Sequence, residues 1–204
     1  MKRTIIYLFV AMISFSAMAG VGILRPIETG INVDKLDDGT YSVAFDPATL
    51  KTTAKGYYIT FEVFTVDVYD GKLLAMVEPG DNVITGDGVI DVKSIKEEDG
   101  RYTINENDEG CLYLEPQAAD TYVVCGDDDY PTYTSQGTTT LLVPISAKMR
   151  DDGIDGDPMK SKNILGKNIA NYLKTSWSHE FCVLNTLITV KNGKVVKIHR
   201  TYMP

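Results

Sequence analysis

The chain has 204 residues, 28 Asp and Glu against 20 Lys and Arg, and a net charge of −8. That length fits one domain or two small ones. The acidity repels phosphate backbones and anionic membrane surfaces, so no nucleic acid is expected as a partner.

The first residues read as a secretory leader. Lys2-Arg3 precede an apolar stretch from Ile5 to Ile13 and a small-residue tail, Ser14-Phe15-Ser16-Ala17-Met18-Ala19. Ala17-x-Ala19 is a pattern signal peptidase accepts, which places cleavage before Gly20. Spanning a bilayer takes about 20 apolar residues, and this stretch breaks sooner. Removing residues 1–19 takes away Lys2 and Arg3 and no carboxylate, so the charge moves from −8 to −10. The mature chain, 20–204, is expected to be secreted or periplasmic, with no transmembrane segment.

Alternation dominates the mature chain. Tyr41, Val43 and Phe45 form a short strand stopped by Asp46-Pro47. From Tyr57 to Tyr69 runs the longest strand candidate, with Ile59, Phe61 and Val63 on one face and Phe64, Val66 and Val68 on the other. That phase switch predicts a bulge or bend at Val63-Phe64, of the kind that lets a small sheet curl into a barrel. Glu78 to Val92 reads as turn, strand, glycine-rich turn, strand. Gly86-x-Gly88 lacks the lysine and the helix of a phosphate loop. Glu97-Glu98-Asp99-Gly100 is an acidic turn entering another strand.

Folding Cys111–Cys125 about Ala118 sets Leu112 opposite Val124, Tyr113 opposite Val123 and Leu114 opposite Tyr122. That register faces Cys111 with Cys125 at a spacing a disulfide can bridge, so the two are expected to be bonded and Cys182 to be left over. Apolar spacing predicts a helix from Ser161 to about Lys174, weakened by Gly166. Asn192-Gly193 is a type I′ hairpin turn joining Val183–Val190 to Lys194–Tyr202. Pairing about it puts Val183, Leu187, Val196, Ile198 and Tyr202 toward the core.

Little in the chain speaks for catalysis. His179 stands close to Cys182, but neighbours on a strand do not converge as a nucleophile and base must, so a buried thiol is expected. His199 falls on the polar face with Lys197 and Thr186 and is expected to be solvated. Asp127-Asp128-Asp129 and the segment from Asp151 to Asp157 are acidic clusters. In the second, Asp151, Asp155 and Gly156 suit a calcium loop, but Gly153 and Lys162 stand where further ligands belong. A solvated acidic turn is the expectation, with no metal and no cofactor. Tyr130, Tyr133 and Trp177 could form an aromatic platform, for instance for sugars.

Several of these segments carry a resemblance. Phe64-Thr65-Val66-Asp67-Val68-Tyr69-Asp70, Gly80-Asp81, Glu97-Glu98-Asp99-Gly100, Tyr133-Thr134, Gly137-Thr138-Thr139-Thr140 and Asn192-Gly193-Lys194 are similar to uncharacterised exported β-rich proteins of anaerobic bacteria. The likeness implies export and β-architecture and brings no activity and no site residues.

The expected fold is mainly β, an antiparallel small barrel or sandwich with hairpins and one short helix before the C-terminal hairpin. It would be one domain, or two small β subdomains with a boundary near 145–160. The expected function is an exported non-catalytic module binding a protein, peptide or glycan in or beyond the cell envelope. The alternative is a hydrolase with an unrecognised carboxylate- or cysteine-based site.

Overall fold

The computed structural model describes residues 20–126, 130–152, 154, 157, 159–175 and 180–203. In chain order the elements are β1 (Ile23–Leu24), β2 (Gly39–Ala44), β3 (Lys51–Thr53), β4 (Gly56–Val66), β5 (Val68–Asp70) and the single-turn α1 (Gly71–Leu74). Then come β6 (Asn82–Thr85), β7 (Gly88–Asp91), β8 (Ile95–Glu98), β9 (Arg101–Ile104), β10 (Leu112–Pro116) and β11 (Thr121–Cys125). The chain closes with β12 (Tyr133–Pro144), β13 (Lys148–Asp152), β14 (Ser161–Leu165), α2 (Gly166–Thr175), β15 (Thr186–Lys191) and β16 (Lys194–Arg200). The fold is mainly β, and the longer helix precedes the last hairpin, as its pattern predicts.

Five strands close a barrel. β4 pairs antiparallel with β2 and β12, β2 with β15, and β15 with β16. β16 returns parallel to β12 where Lys194 meets Leu142. Numbered along the chain, the ring runs first, second, third, fifth, fourth and back, with α2 between the third and fourth strands. Ile59, Phe61 and Val63 of β4 point inward and are fully buried, each worth about 1.5–3 kcal/mol. Val43, Ile188, Val190, Val195 and Ile198 complete the interior with Ile169 and Leu173 of α2.

The bend foreseen at Val63-Phe64 is present, although the extra residue lies on the partner strand. The β4–β12 register slips between Ser135 and Gly137, opposite Phe64 and Val63. A similar slip decides the last hairpin. Thr189 pairs with Lys197 but Val190 pairs with Val195, which leaves Val196 as the extra residue of a bulge. The bulge brings both Val195 and Ile198 inward, so the core carries Ile188, Val190, Val195 and Ile198. Val183, Leu187, Val196 and Tyr202, expected there, are only half-buried.

The helix begins later than its pattern suggests. Residues 161–165 form β14, paired antiparallel with β13, and Gly166 opens the helix instead of interrupting it. A Cβ there would stand 2.3 Å from the Ile145 carbonyl oxygen, so the entry requires glycine. Lys148 to Asp151 of β13 pair parallel with Lys197 to Arg200 of β16.

Described residues 67–126 and 130–132 lie between the second and third barrel strands. They form an antiparallel sheet in the order β5-β11-β10-β9-β8, and β6 and β7 join β1 in a smaller one. This unit has its own core of Leu24, Tyr69, Leu74, Val83, Ile104, Leu114 and Val124.

Its central hairpin corrects the cysteine register. Tyr113, not Cys111, faces Cys125, and Leu114 faces Val124. Ala119 and Asp120 are both left-handed, with φ of 59° and 58°, and Gln117 N–H donates to the Thr121 carbonyl at 2.8 Å. This turn moves the pairing by two residues, and an even slip preserves the faces. Leu112, Leu114 and Val124 are therefore buried as expected. Cys111 becomes a diagonal neighbour of Cys125, at a spacing of about 7–8 Å that a disulfide does not span unaided. No disulfide is formed among the three cysteines.

Candidate functional site

The barrel and the insert meet where an apolar strand is interrupted by a carboxylate. Asp67 separates β4 from β5 and is fully buried. Its backbone spans the junction: Asp67 N–H donates to the Thr132 carbonyl at 2.9 Å, and Val124 N–H donates to the Asp67 carbonyl at 3.3 Å. Its side chain accepts three more bonds. Gly86 N–H and the Thr132 hydroxyl each reach Oδ2 at 2.7 Å, and the Thr134 hydroxyl reaches Oδ1 at 2.6 Å. Bonding of this kind offsets the desolvation of a buried carboxylate.

Gly86 lies flat on the start of β12. A Cβ on it would sit 1.8 Å from the Tyr133 carbonyl oxygen. This glycine serves close backbone packing, and that explains it without a phosphate. Tyr69, fully buried behind the same turn, donates its hydroxyl to the Ile84 carbonyl. Burial pushes the Tyr69 hydroxyl far up, with the Asp67 carboxylate adding to the shift, so it stays protonated.

Above this network lies a cleft of about 270 Å³ lined by Phe64, Tyr130, Tyr133, Val183, Leu184 and the exposed Asp87. Phe64 comes from the bent end of β4, Tyr133 from the start of β12, and Val183-Leu184 from the approach to β15. All three rings are half-buried, which leaves part of each available to a ligand. Burial, and then the neighbouring Cys125, hold the Tyr133 hydroxyl above its ordinary value, so it presents a protonated donor. Apolar walls with a few polar groups at the rim are what a small-ligand site requires.

Two ionic clusters lie elsewhere on the barrel. Asp151, fully buried, accepts from Arg200 Nε at 2.7 Å and from the Tyr172 hydroxyl at 2.8 Å. Arg200 Nη2 also lies 2.7 Å from the same Asp151 oxygen, without the angle of a second hydrogen bond. Beside it, Asp152 pairs with His199 Nε2 at 2.9 Å and with Arg150 Nε at 2.8 Å. The His199 hydrogen bond, and after it Arg150, outweigh partial burial and hold the Asp152 carboxyl below its ordinary value.

The expected site residues divide accordingly. Tyr130 and Tyr133 do converge, while Trp177 lies outside the described residues. Asp151 is not a solvated turn residue, since Arg200 and Tyr172 occupy its oxygens. Asp157 bonds its own loop at Met159 and pairs with Lys160, and Asp155 lies outside the described residues, as do Asp127, Asp128 and Asp129. His199 is half-buried against Asp152 rather than solvated, and Thr186 is fully buried. Cys182 is half-buried, its N–H donating to Asn185 Oδ1 at 3.1 Å. Its supposed partner His179 lies outside the described residues. Asp67 and Phe64 were not singled out from sequence as site residues. The available signal was a carboxylate between two apolar residues, Val66-Asp67-Val68, near the end of the strand candidate from Tyr57 to Tyr69.

Among the described residues no group of three or more His, Cys, Asp or Glu is arranged to hold a metal ion, and no helix is long and apolar enough to cross a membrane. Compared with protein-family models, with curated proteins and with solved structures, the chain matches none.

Proposed function

We propose that the chain is an exported, non-catalytic binding module that takes a short neutral or cationic saccharide in the cleft between barrel and insert. The observation that carries this reading is the convergence of Phe64, Tyr130 and Tyr133 on one cleft rimmed by Asp87. Aromatic faces cover the apolar faces of a sugar ring, and the rim carboxylate and the Tyr133 hydroxyl accept and donate to its hydroxyl groups. A net charge of −8 over the full chain disfavours anionic glycans by the same repulsion that disfavours nucleic acid. The cleft volume of about 270 Å³ limits the occupant to a short saccharide segment.

The test is calorimetric titration of the chain from Gly20 onward with neutral, cationic and anionic oligosaccharides. Binding of a neutral or cationic member should weaken about tenfold or more in Tyr130→Ala, equivalent to about 1.4 kcal/mol, with the thermal midpoint nearly unchanged. Binding that is indifferent to Tyr130→Ala and Asp87→Asn, or confined to anionic sugars, would overturn the reading.

A further inference from the structure

Gly20, the first described residue, is also the residue that the Ala17-x-Ala19 motif would expose. Its nitrogen donates to Glu78 Oε1 at 3.0 Å. The next two amides, Val21 N–H and Gly22 N–H, donate to Asp81 Oδ2 at 3.1 Å and Oδ1 at 3.0 Å. Asp81 is 7% exposed and is held from behind by Glu78 N–H at 3.0 Å. Among the described residues no cationic side chain forms an ion pair with Glu78 or Asp81.

Glu78 thus accepts from the Gly20 nitrogen and Asp81 from the two amides that follow, and among the described residues neither carboxylate has a cationic side chain as an ion-pair partner. We propose that this is a docking site for the chain's own processed N-terminus: the α-ammonium of Gly20 pairs with Glu78 while Asp81 fixes the two amides that follow. Hydrolysis of the Ala19–Gly20 peptide bond by signal peptidase adds one water, leaving a carboxylate on Ala19 and an amine on Gly20. That amine takes a proton at neutral pH. A peptide nitrogen offers Glu78 one N–H and no charge. An ammonium offers three N–H groups and a full positive charge, which strengthens each bond.

The site also selects the residue. A Cβ on Gly20 would lie 2.7 Å and 2.8 Å from the two Asp81 carboxylate oxygens and 2.8 Å from Glu78 Cγ. Asp81 cannot swing aside without releasing three amides. Only glycine therefore fits at the new terminus.

The docked segment ties the two units together. β1 follows directly and pairs parallel with β6 of the insert, and Leu24 is fully buried in the insert core. Ile27 N–H then donates to the Val68 carbonyl at 2.7 Å, after which the chain runs on to β2 of the barrel. Processing would thereby anchor the free end of a strap that runs from the insert to the barrel.

Five proteins test this: the chain beginning at Gly20 with a free amine, the same chain with one alanine added before Gly20, the N-acetylated chain, and Glu78→Gln in the free-amine and in the acetylated chain. The free-amine protein should melt about 2–4 °C above the extended and acetylated ones, the shift a single charge-assisted contact of about 1 kcal/mol produces at this size. Glu78→Gln should fall to their level, and the same substitution in the acetylated chain should change little. Equal midpoints across all five would overturn the docking. The mass of the exported protein separates the two assumptions: a terminus other than Gly20 overturns the processing step, whatever the midpoints show.

Discussion

Replacing Asp67 with alanine removes the acceptor for Gly86 N–H and for the hydroxyls of Thr132 and Thr134 at once. Hydrogen bonds to a charged group contribute about 1.5–3 kcal/mol each, so three of them represent a gross loss of about 4.5–9 kcal/mol. Two effects reduce it. The variant no longer carries a desolvated carboxylate, whose burial costs several kcal/mol, and Gly86 lies at an exposed turn where its amide can find water. The net expectation is a destabilisation of about 2–4 kcal/mol, a sizeable share of a typical total of about 5–15 kcal/mol. In a chain of this length that lowers the melting midpoint by about 10 °C. Urea unfolding checks it, with the midpoint falling and the slope unchanged. A double-mutant cycle of Asp67→Ala with Thr132→Val should show coupling above about 0.5 kcal/mol, the limit for independent sites. An Asp67→Ala protein within about 0.5 kcal/mol of the parent, or an additive cycle, would refute the view that this carboxylate organises the junction.

Gly86→Ala places a Cβ against the Tyr133 carbonyl and should cost about 1–3 kcal/mol, as overpacking does, while weakening any ligand of the cleft; an unchanged denaturation midpoint would contradict the close packing. Asp152 has a lowered carboxyl value, so its contribution is present above the ordinary carboxylate range near pH 4 and lost as pH falls through the lowered value. Asp152→Asn should therefore flatten the acid limb of stability below about pH 4, and curves that run parallel to the parent there would rule this out. Peptide mapping without reduction should find no Cys111–Cys125 link, because Tyr113 occupies the position opposite Cys125; recovery of that linked pair would show that the turn adopts the tighter register.

The alternation in Tyr41–Phe45 and Ile59–Val63, the Asn192-Gly193 turn and the apolar stripe of Ile169 and Leu173 were legible because each is a local pattern. Strand and helix periods and φ > 0 turns are written into a few consecutive residues. The sequence by itself therefore determined a mainly β chain, which residues of β4 face inward, and where that strand bends. Only the tertiary structure decided the rest. An extra residue at Val196 reversed half of a strand's facing, and two left-handed residues at Ala119-Asp120 moved Cys125 away from Cys111, since register depends on the partner strand as much as on the strand itself. Of the cleft, only Tyr130 and Tyr133 were legible as aromatic candidates: Phe64 and Leu184 join them from distant parts of the chain, and no local period relates them. Asp67 shows the reason most directly. In sequence it is a carboxylate out of place in an apolar strand, and only the arrival of Gly86, Thr132 and Thr134 from other elements gives a buried charge the donors it needs.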